Sequence, residues 1–423
     1  MTSEVLVLNK RAIVIAADSA VTTSGGKHPR YSKTAMKVFE VSRCGSIAAM
    51  IFGAASMDQV PWEISLKMFR AHLGDQRFPT VSEYLDEFLK FIECNTLIYP
   101  EALRSSELGR HFDQAVQNVV EIAKNSAPDI LDIAVPLQDR QAKWKAEAAA
   151  IRGNFSKIGL SGSLTQGKLD DRLRDMAEWQ RRVTDQLAQV PDLAAIDAVE
   201  LAELAMRALF AMPDIMLSDT GLVFAGYGES QIFPAYRQID IHGHIGNDLA
   251  FKESKKFEIT HESTGMIQPL AQTSMIDVFT DGFGWSLRKI IDQASKNQFE
   301  KLFVELAAAG HNIPGPLAES LKEKAHSDFT SEWVKENWNQ NFYPLVRVIM
   351  SLSVEEMAHL AETLLVLESL KERVTSPSES VGGPIDVAAI TKAEGLVWIK
   401  RKHFFDPALN MRYAARLGHS FTK

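Results

Sequence analysis

Two short apolar runs constrain this chain more than anything else in it. Val5–Leu8 and Ala12–Ala17 flank Asn9-Lys10-Arg11 in the opening stretch MTSEVLVLNKRAIVIAADSAVT. Runs of this length read as strands. Because they are apolar throughout rather than at alternate positions, they predict a hairpin covered on both faces. A second pair follows, Val38–Val41 and Ile47–Phe52, around Arg43-Cys44-Gly45-Ser46. The segment between the pairs, TTSGGKHPRYSK, is rich in turn formers.

From about residue 56 the apolar spacing becomes helical, and Thr80 with Glu83 forms a capping box. Residues 96–215 read mostly as helix. Strands return in TGLVFAGYGE, IFPAYRQIDIHG and FEITHE. A third helical block runs from about 274 to 370, where Ser353 and Glu356 form a second capping box. After the loop TSPSESVGG, a last hairpin is expected in IDVAAITKAEGLVWIK, turning at Ala393-Glu394-Gly395. The order strands, helices, strands, helices, strands predicts a layered α/β sandwich rather than βαβ winding. One domain is expected over 1–423, with helical insertions at about 96–215 and 286–350.

Composition narrows the function classes. Hydrophobic residues at 46% and charged residues at 24% give an ordinary globular balance. A net charge of −8 argues against a nucleic-acid or anionic-membrane binder, which needs a basic face. Cys44 and Cys94 supply neither a disulfide framework nor a zinc motif, as expected in a reducing compartment. Asn9-Lys10-Arg11 and Asp18 break the first apolar stretch too early for a signal peptide. No run reaches the roughly 18 apolar residues of a membrane span. A cytoplasmic location is expected.

The polar residues at the hairpin ends suggest chemistry. If Lys10 centres the first turn, facing residues sum to 20, and Thr2 faces Asp18. If Gly45 centres the second, facing residues sum to 90, and Lys37 faces Gly53. Side by side, the two hairpins would bring Thr2, Asp18, Lys37 and Gly53 together. A threonine hydroxyl needs a base to become a nucleophile. With Met1 removed, the α-amine of Thr2 is such a base, with an ordinary pKa of about 7.7–8.0. A lysine ammonium beside it lowers that value, a carboxylate orients the lysine, and a backbone N–H at Gly53 could hold an oxyanion.

These residues resemble the proteasome β-subunit group of N-terminal-nucleophile hydrolases, including the bacterial HslV-type peptidases. The likeness rests on Thr2, AADS at 16–19, KVF at 37–39, MIFGAAS at 50–56 and the final GGPIDVAAITKAEGLVWI, with TGLVFAGYG and QIFPAYRQIDIHG as central strands. It implies a four-layer αββα sandwich of two antiparallel sheets between helical layers. It also implies a threonine peptidase acting on a peptide or other amide, possible assembly as a homo-oligomer, and no metal or organic cofactor. By the same likeness Val21 and Thr22 would pair with substrate backbone and Ala55 would line the side-chain pocket. Two stretches depart from the pattern. Met266 stands where a serine is usual, and Ser378-Glu379-Ser380-Val381 replaces an Asp-x-x-Ser motif. The longer helical blocks leave an unfoldase partner open.

Other motifs carry less. His242-Gly243-His244 has metal-ligand residue types but no matching third ligand, so a solvated or hydrogen-bonded pair is expected. TTSGGKHPR lacks phosphate-loop spacing, and YGESQIF has no nucleophile elbow. The alternative to an enzyme is an inactive scaffold or binding protein on the same sandwich.

Overall fold

The structure is a computed structural model describing residues 2–23, 30–217, 219–375, 382–406, 409–412 and 415. The first strands are β1 (Ser3–Asn9), β2 (Ile13–Ala17), β3 (Val21–Thr23), β4 (Arg30–Ser32), β5 (Val38–Glu40), β6 (Ile47–Gly53), β7 (Ser56–Met57) and β8 (Val60–Pro61). Helices α1 (Trp62–Leu73), α2 (Val81–Cys94), α3 (Glu101–Ser126), α4 (Leu137–Ile158), α5 (Gln166–Arg174), α6 (Ala177–Leu187), α7 (Ala198–Ala211) and α8 (Pro213–Met216) follow. Next come β9 (Thr220–Gly226), β10 (Ala235–Ile245), β11 (Asp248–Glu258) and β12 (Gly265–Ala271). The last helices are α9 (Ser274–Asp281), α10 (Trp285–Ala308), α11 (Gly315–Asn337), α12 (Tyr343–Ser351) and α13 (Val354–Thr375), before the hairpin β13 (Asp386–Thr391) and β14 (Gly395–Lys400).

Two five-stranded sheets organise the chain, in the orders β12-β1-β2-β13-β14 and β11-β10-β9-β6-β5. Every pairing within them is antiparallel. This mixed α/β build with antiparallel sheets is the coarse fold class expected from the element order. The packing explains why the strands are apolar throughout. Leu6, Leu8, Ile13 and Ile15 of the first sheet meet Val38, Met50, Val223 and Ala225 of the second. The alternate residues Val5, Val7, Val14 and Ala16 pack outward against Met357, Ala361, Leu364 and Leu365 of α13. On the far side, Ala49, Ile51, Leu222 and Phe224 pack against Leu66 and Phe69 of α1 and Leu85 and Phe88 of α2. The central strands β1, β2, β6 and β9 are thus buried on both faces, so period-two patterning disappears there.

Helices α3 to α8 surround their own core, built on Phe112, Trp144, Ile151, Leu201 and Leu209, which also takes in Ile245 and Ala250 of β10 and β11. Both N-caps form, with Glu83 N donating to Thr80 Oγ1 and Glu356 N to Ser353 Oγ, each at 3.3 Å, and at Ser353 the box closes as its N–H donates to Glu356 Oε2 at 2.7 Å. No helix among the described residues is long and apolar enough to cross a membrane.

The short strands β3, β4, β7 and β8 were not expected, and the strand expected in FEITHE is only the end of β11, which stops at Glu258. Within the two large sheets, two strands differ from the sequence expectation, and both are edges. Strand β11 carries Lys252, Glu253, Lys255 and Lys256, a charged run that hides a strand from apolar patterning. Charge on an edge strand discourages pairing with other chains. Strand β12 contains Pro269, which an edge tolerates because one side needs no N–H donor.

Asn9 locks the first hairpin to the helical layer. Its Nδ2 donates to the carbonyls of Ile349 and Leu352, both at 3.0 Å. Its Oδ1 accepts from Arg11 N at 2.8 Å and Ala12 N at 3.3 Å. The residue is fully buried. Asn9→Ala strands these backbone groups, and a loss of about 3 kcal/mol in unfolding free energy is expected. Urea titration checks it; a loss below about 1 kcal/mol would show that water replaces the side chain.

Candidate active site

The turn chemistry of Asn9 also sets the register. Asn9 N donates to Ala12 O at 3.1 Å, closing a two-residue turn at Lys10-Arg11. Facing residues therefore sum to 21, as in Glu4 with Ala17 and Leu8 with Ile13. This corrects the expected facing of Thr2 and Asp18: Asp18 lies opposite Ser3, to which it is tied by Asp18 N to Ser3 O at 3.1 Å and Ser3 N to Asp18 Oδ1 at 3.2 Å. In the second hairpin Val38 faces Met50, so the sum is 88. Ser42 Oγ accepts from Cys44 N and Gly45 N and widens that turn. Lys37 consequently faces Ile51, whose N–H donates to Lys37 O at 3.0 Å, and not Gly53.

Lys37 and Asp18 nevertheless meet, because the two hairpins lie on facing sheets. Lys37 Nζ bonds to Asp18 Oδ1, and both side chains are buried. Asp18 Oδ2 accepts from Gly382 N at 2.8 Å, so the carboxylate is held from both ends of the chain.

Between Thr2 and Lys37 stands Glu4, a residue the sequence reading passed over. Thr2 Oγ1 donates to Glu4 Oε2 at 3.3 Å. Lys37 Nζ lies 3.0 Å from Glu4 Oε1 as an ion pair without hydrogen-bond alignment. The link from Lys37 to Thr2 therefore runs through a carboxylate. The signal was available: residues two apart in a strand share a face, so Glu4 shares the inter-sheet face with Thr2, Leu6 and Leu8.

Glu4 is fully buried, and burial pushes its carboxyl up to about 7. Lys37 opposes that rise and the charge of Asp18 adds to it. A raised acid pKa gives stability that is fully present below about pH 4.5 and lost as pH rises through about 7. The ionised form costs about 3 kcal/mol. Glu4→Gln removes this dependence. Relative to wild type, the variant is expected to gain about 3 kcal/mol between pH 4.5 and pH 8 in urea unfolding. A constant difference across that range would place the charge elsewhere.

The remaining expected residues fall around this cluster. Gly53 ends β6 with φ +80°, and a Cβ there would come within 2.7 Å of Asp219 O. Its backbone accordingly excludes other residues. It is exposed, as is Ala55, whose carbonyl accepts from Trp62 N at 3.1 Å. Val21 and Thr22 lie in β3, which pairs with β4 apart from both sheets. A cavity of about 240 Å3 opens beside Asp18, lined also by Leu365, Arg373, Gly382, Gly383 and Ile385. Met266 faces Leu8, at the far end of β1 from Thr2, so its departure from serine does not touch the site. The β12 end near Thr2 is instead Ala271-Gln272, with Gln272 N donating to Thr2 O at 2.9 Å. Met1, His28, Ser378, Glu379, Ser380 and Val381 lie outside the described residues.

His242 and His244 are buried rather than solvated, and His244 Nδ1 lies 2.6 Å from Asp58 Oδ2.

No protein-family model matches the chain, and no curated protein matches it. Solved structures similar to it include an Anbu (Gly-1) mutant from Hyphomicrobium sp. strain MC1, with 9% identity, a TM-score of 0.28, and 100% of this chain and 97% of that one covered. Another is Anbu (ancestral beta-subunit) from Yersinia bercovieri, with 9% identity, a TM-score of 0.26 and coverage of 99% and 97%. A third is the helical assembly of the Anbu complex from Pseudomonas aeruginosa, with 9% identity, a TM-score of 0.27 and coverage of 99% and 95%. Likenesses at these scores carry no argument about activity. They correct the resemblance drawn from sequence to the proteasome β-subunit and HslV-type group: the solved structures named here are of Anbu, and their likeness is weak.

Proposed function

We propose that this chain is an amide-bond hydrolase whose nucleophile is Thr2, made N-terminal by removal of Met1. On this reading the two sheets and their helical covers form a four-layer αββα sandwich suited to N-terminal-nucleophile chemistry. The observation that supports it is the buried chain of contacts Thr2–Glu4–Lys37–Asp18 at the end of the inter-sheet core.

In the first step Thr2 Oγ1 bonds to the substrate carbonyl carbon and passes its proton to the α-amine. Glu4 aims the hydroxyl, and Lys37, held by Asp18, favours the neutral amine. The carbonyl oxygen becomes an oxyanion, for which Gly53 N–H is the proposed donor. Collapse breaks the amide bond, and the leaving nitrogen takes the proton back. Water then attacks the ester, again with the amine as base, and frees the acid. Val21 and Thr22 would pair with the substrate backbone, and Ala55 would border its side chain.

A second reading, a non-catalytic scaffold, is favoured by the burial of Thr2, which is only 6% exposed. One experiment separates the two. Intact mass of the untagged protein reports whether Met1 is removed, and a β-lactone electrophile reports a reactive Thr2. A mass without Met1 and a single label on Thr2 are expected. Retained Met1 with no labelling overturns the enzyme reading.

A further inference from the structure

On the outer side of the second sheet lies a polar cluster that the proposed reaction does not use. Asp58 and Gln59 form the two-residue turn between β7 and β8, with φ +46° and +64°. Such turns usually carry Asn-Gly; here the geometry drives the Asp58 carboxylate inward. Asp58 is 3% exposed. Its Oδ2 accepts from His244 N at 3.2 Å and faces His244 Nδ1 at 2.6 Å. Its Oδ1 is buried with no hydrogen-bond partner among the described residues. Gly243 makes room for that oxygen, since a Cβ there would stand 2.7 Å from it.

Helix α3 presents Glu107 and His111, one turn apart, to the same place. Both are buried. His111 Nδ1 lies 3.1 Å from Met216 O, so it donates to that carbonyl and leaves Nε2 as a lone-pair donor. Metal-ligating histidines are commonly oriented this way. Nε2 lies 3.9 Å from Glu107 Oε2. One ligand atom from each of Asp58, Glu107 and His111 lies within 4.8 Å of the others. Ligands at 2.0–2.2 Å from a tetrahedral ion stand about 3.4 Å apart, so closing the set needs movements of about 1 Å.

The cation now among these groups is Arg110. Its guanidinium lies 2.7 Å from Glu107 Oε2 and 3.1 Å from His111 Nε2. The side chain is 59% exposed and can swing into water. We propose that Asp58, Glu107 and His111 form a binding site for one divalent first-row metal ion, Zn2+ or Mn2+, which displaces Arg110. One imidazole nitrogen and two carboxylates suit such an ion, and the orphaned Asp58 oxygen supplies the ligand that Arg110 does not reach. The ion would fasten the turn after Gly53–Ala55 to α3.

The test uses the full chain, stripped with a chelator, then titrated calorimetrically with ZnCl2 and with MnCl2. One equivalent of at least one ion is expected to bind, with a rise in melting temperature. His111→Gln should weaken binding at least tenfold and remove that rise. Arg110→Met, at an exposed position, should bind about tenfold tighter, because the competing cation is gone. No uptake by either wild type or Arg110→Met overturns the proposal, as does unchanged uptake by His111→Gln in a folded protein.

Discussion

Thr2→Ala is expected to abolish labelling by the electrophile and to lower turnover of a fluorogenic peptide amide by at least about 10^4-fold. Losing a nucleophile is among the largest single effects in enzymes of this kind. The fold should tolerate the change. The hydroxyl makes one long hydrogen bond, 3.3 Å to Glu4, and its loss costs about 1 kcal/mol. Thr2→Ser keeps an oxygen at the same place and should retain measurable activity. Labelling that persists in Thr2→Ala would point to another nucleophile and end the assignment. Glu4→Gln adds a second readout, because it keeps an acceptor for the hydroxyl while removing a base. Activity that survives in this variant supports the α-amine as proton acceptor.

Lys37→Met should destabilise the protein by about 3–5 kcal/mol at pH 8, the largest stability effect expected here. Lys37 is 3% exposed and pairs with both Asp18 and Glu4. Removing its charge leaves two buried carboxylates facing each other. The penalty falls on the charged forms, so it should shrink as pH drops and Glu4, whose carboxyl is pushed up to about 7, takes up a proton. Denaturant titrations at pH 8 and pH 5 check this. An equal loss at both would mean that Lys37 matters through its packed methylenes. Turnover should fall as well, by about 10^2–10^4-fold, because nothing then favours the neutral amine.

Much of the mixed α/β build was legible because strands buried on both faces are apolar throughout, as in Val5–Leu8 and Ile13–Ala17. The edges were not. Their residues answer to solvent and neighbouring chains rather than to a core, so β11 reads as a charged stretch and β12 as a loop around Pro269. In the site, the meeting of Lys37 and Asp18 was legible, since their exact registers hardly matter to long side chains. The facing of Thr2 with Asp18 and of Lys37 with Gly53 was not. Turn geometry at Asn9 and Ser42 sets those registers, and it shifts them by one and two residues. Glu4 was missed because the apolar run was counted from Val5. Asp58 was missed because nothing in sequence announces that a turn and α3 will meet.

The way Asp18 is held also bears on when the site can exist. Strands β1 and β2 are synthesised before the rest of the fold, yet their sheet neighbours are β12 and β13, and the N–H that fixes Asp18 Oδ2 belongs to Gly382. A nascent chain therefore carries Thr2 long before its carboxylates and lysine can be locked in place. Contacts this distant in sequence form late and slowly. The order of synthesis thus acts as a safeguard. Whatever reactivity Thr2 has is withheld until the chain 364 residues beyond Asp18 has been made and folded back upon it.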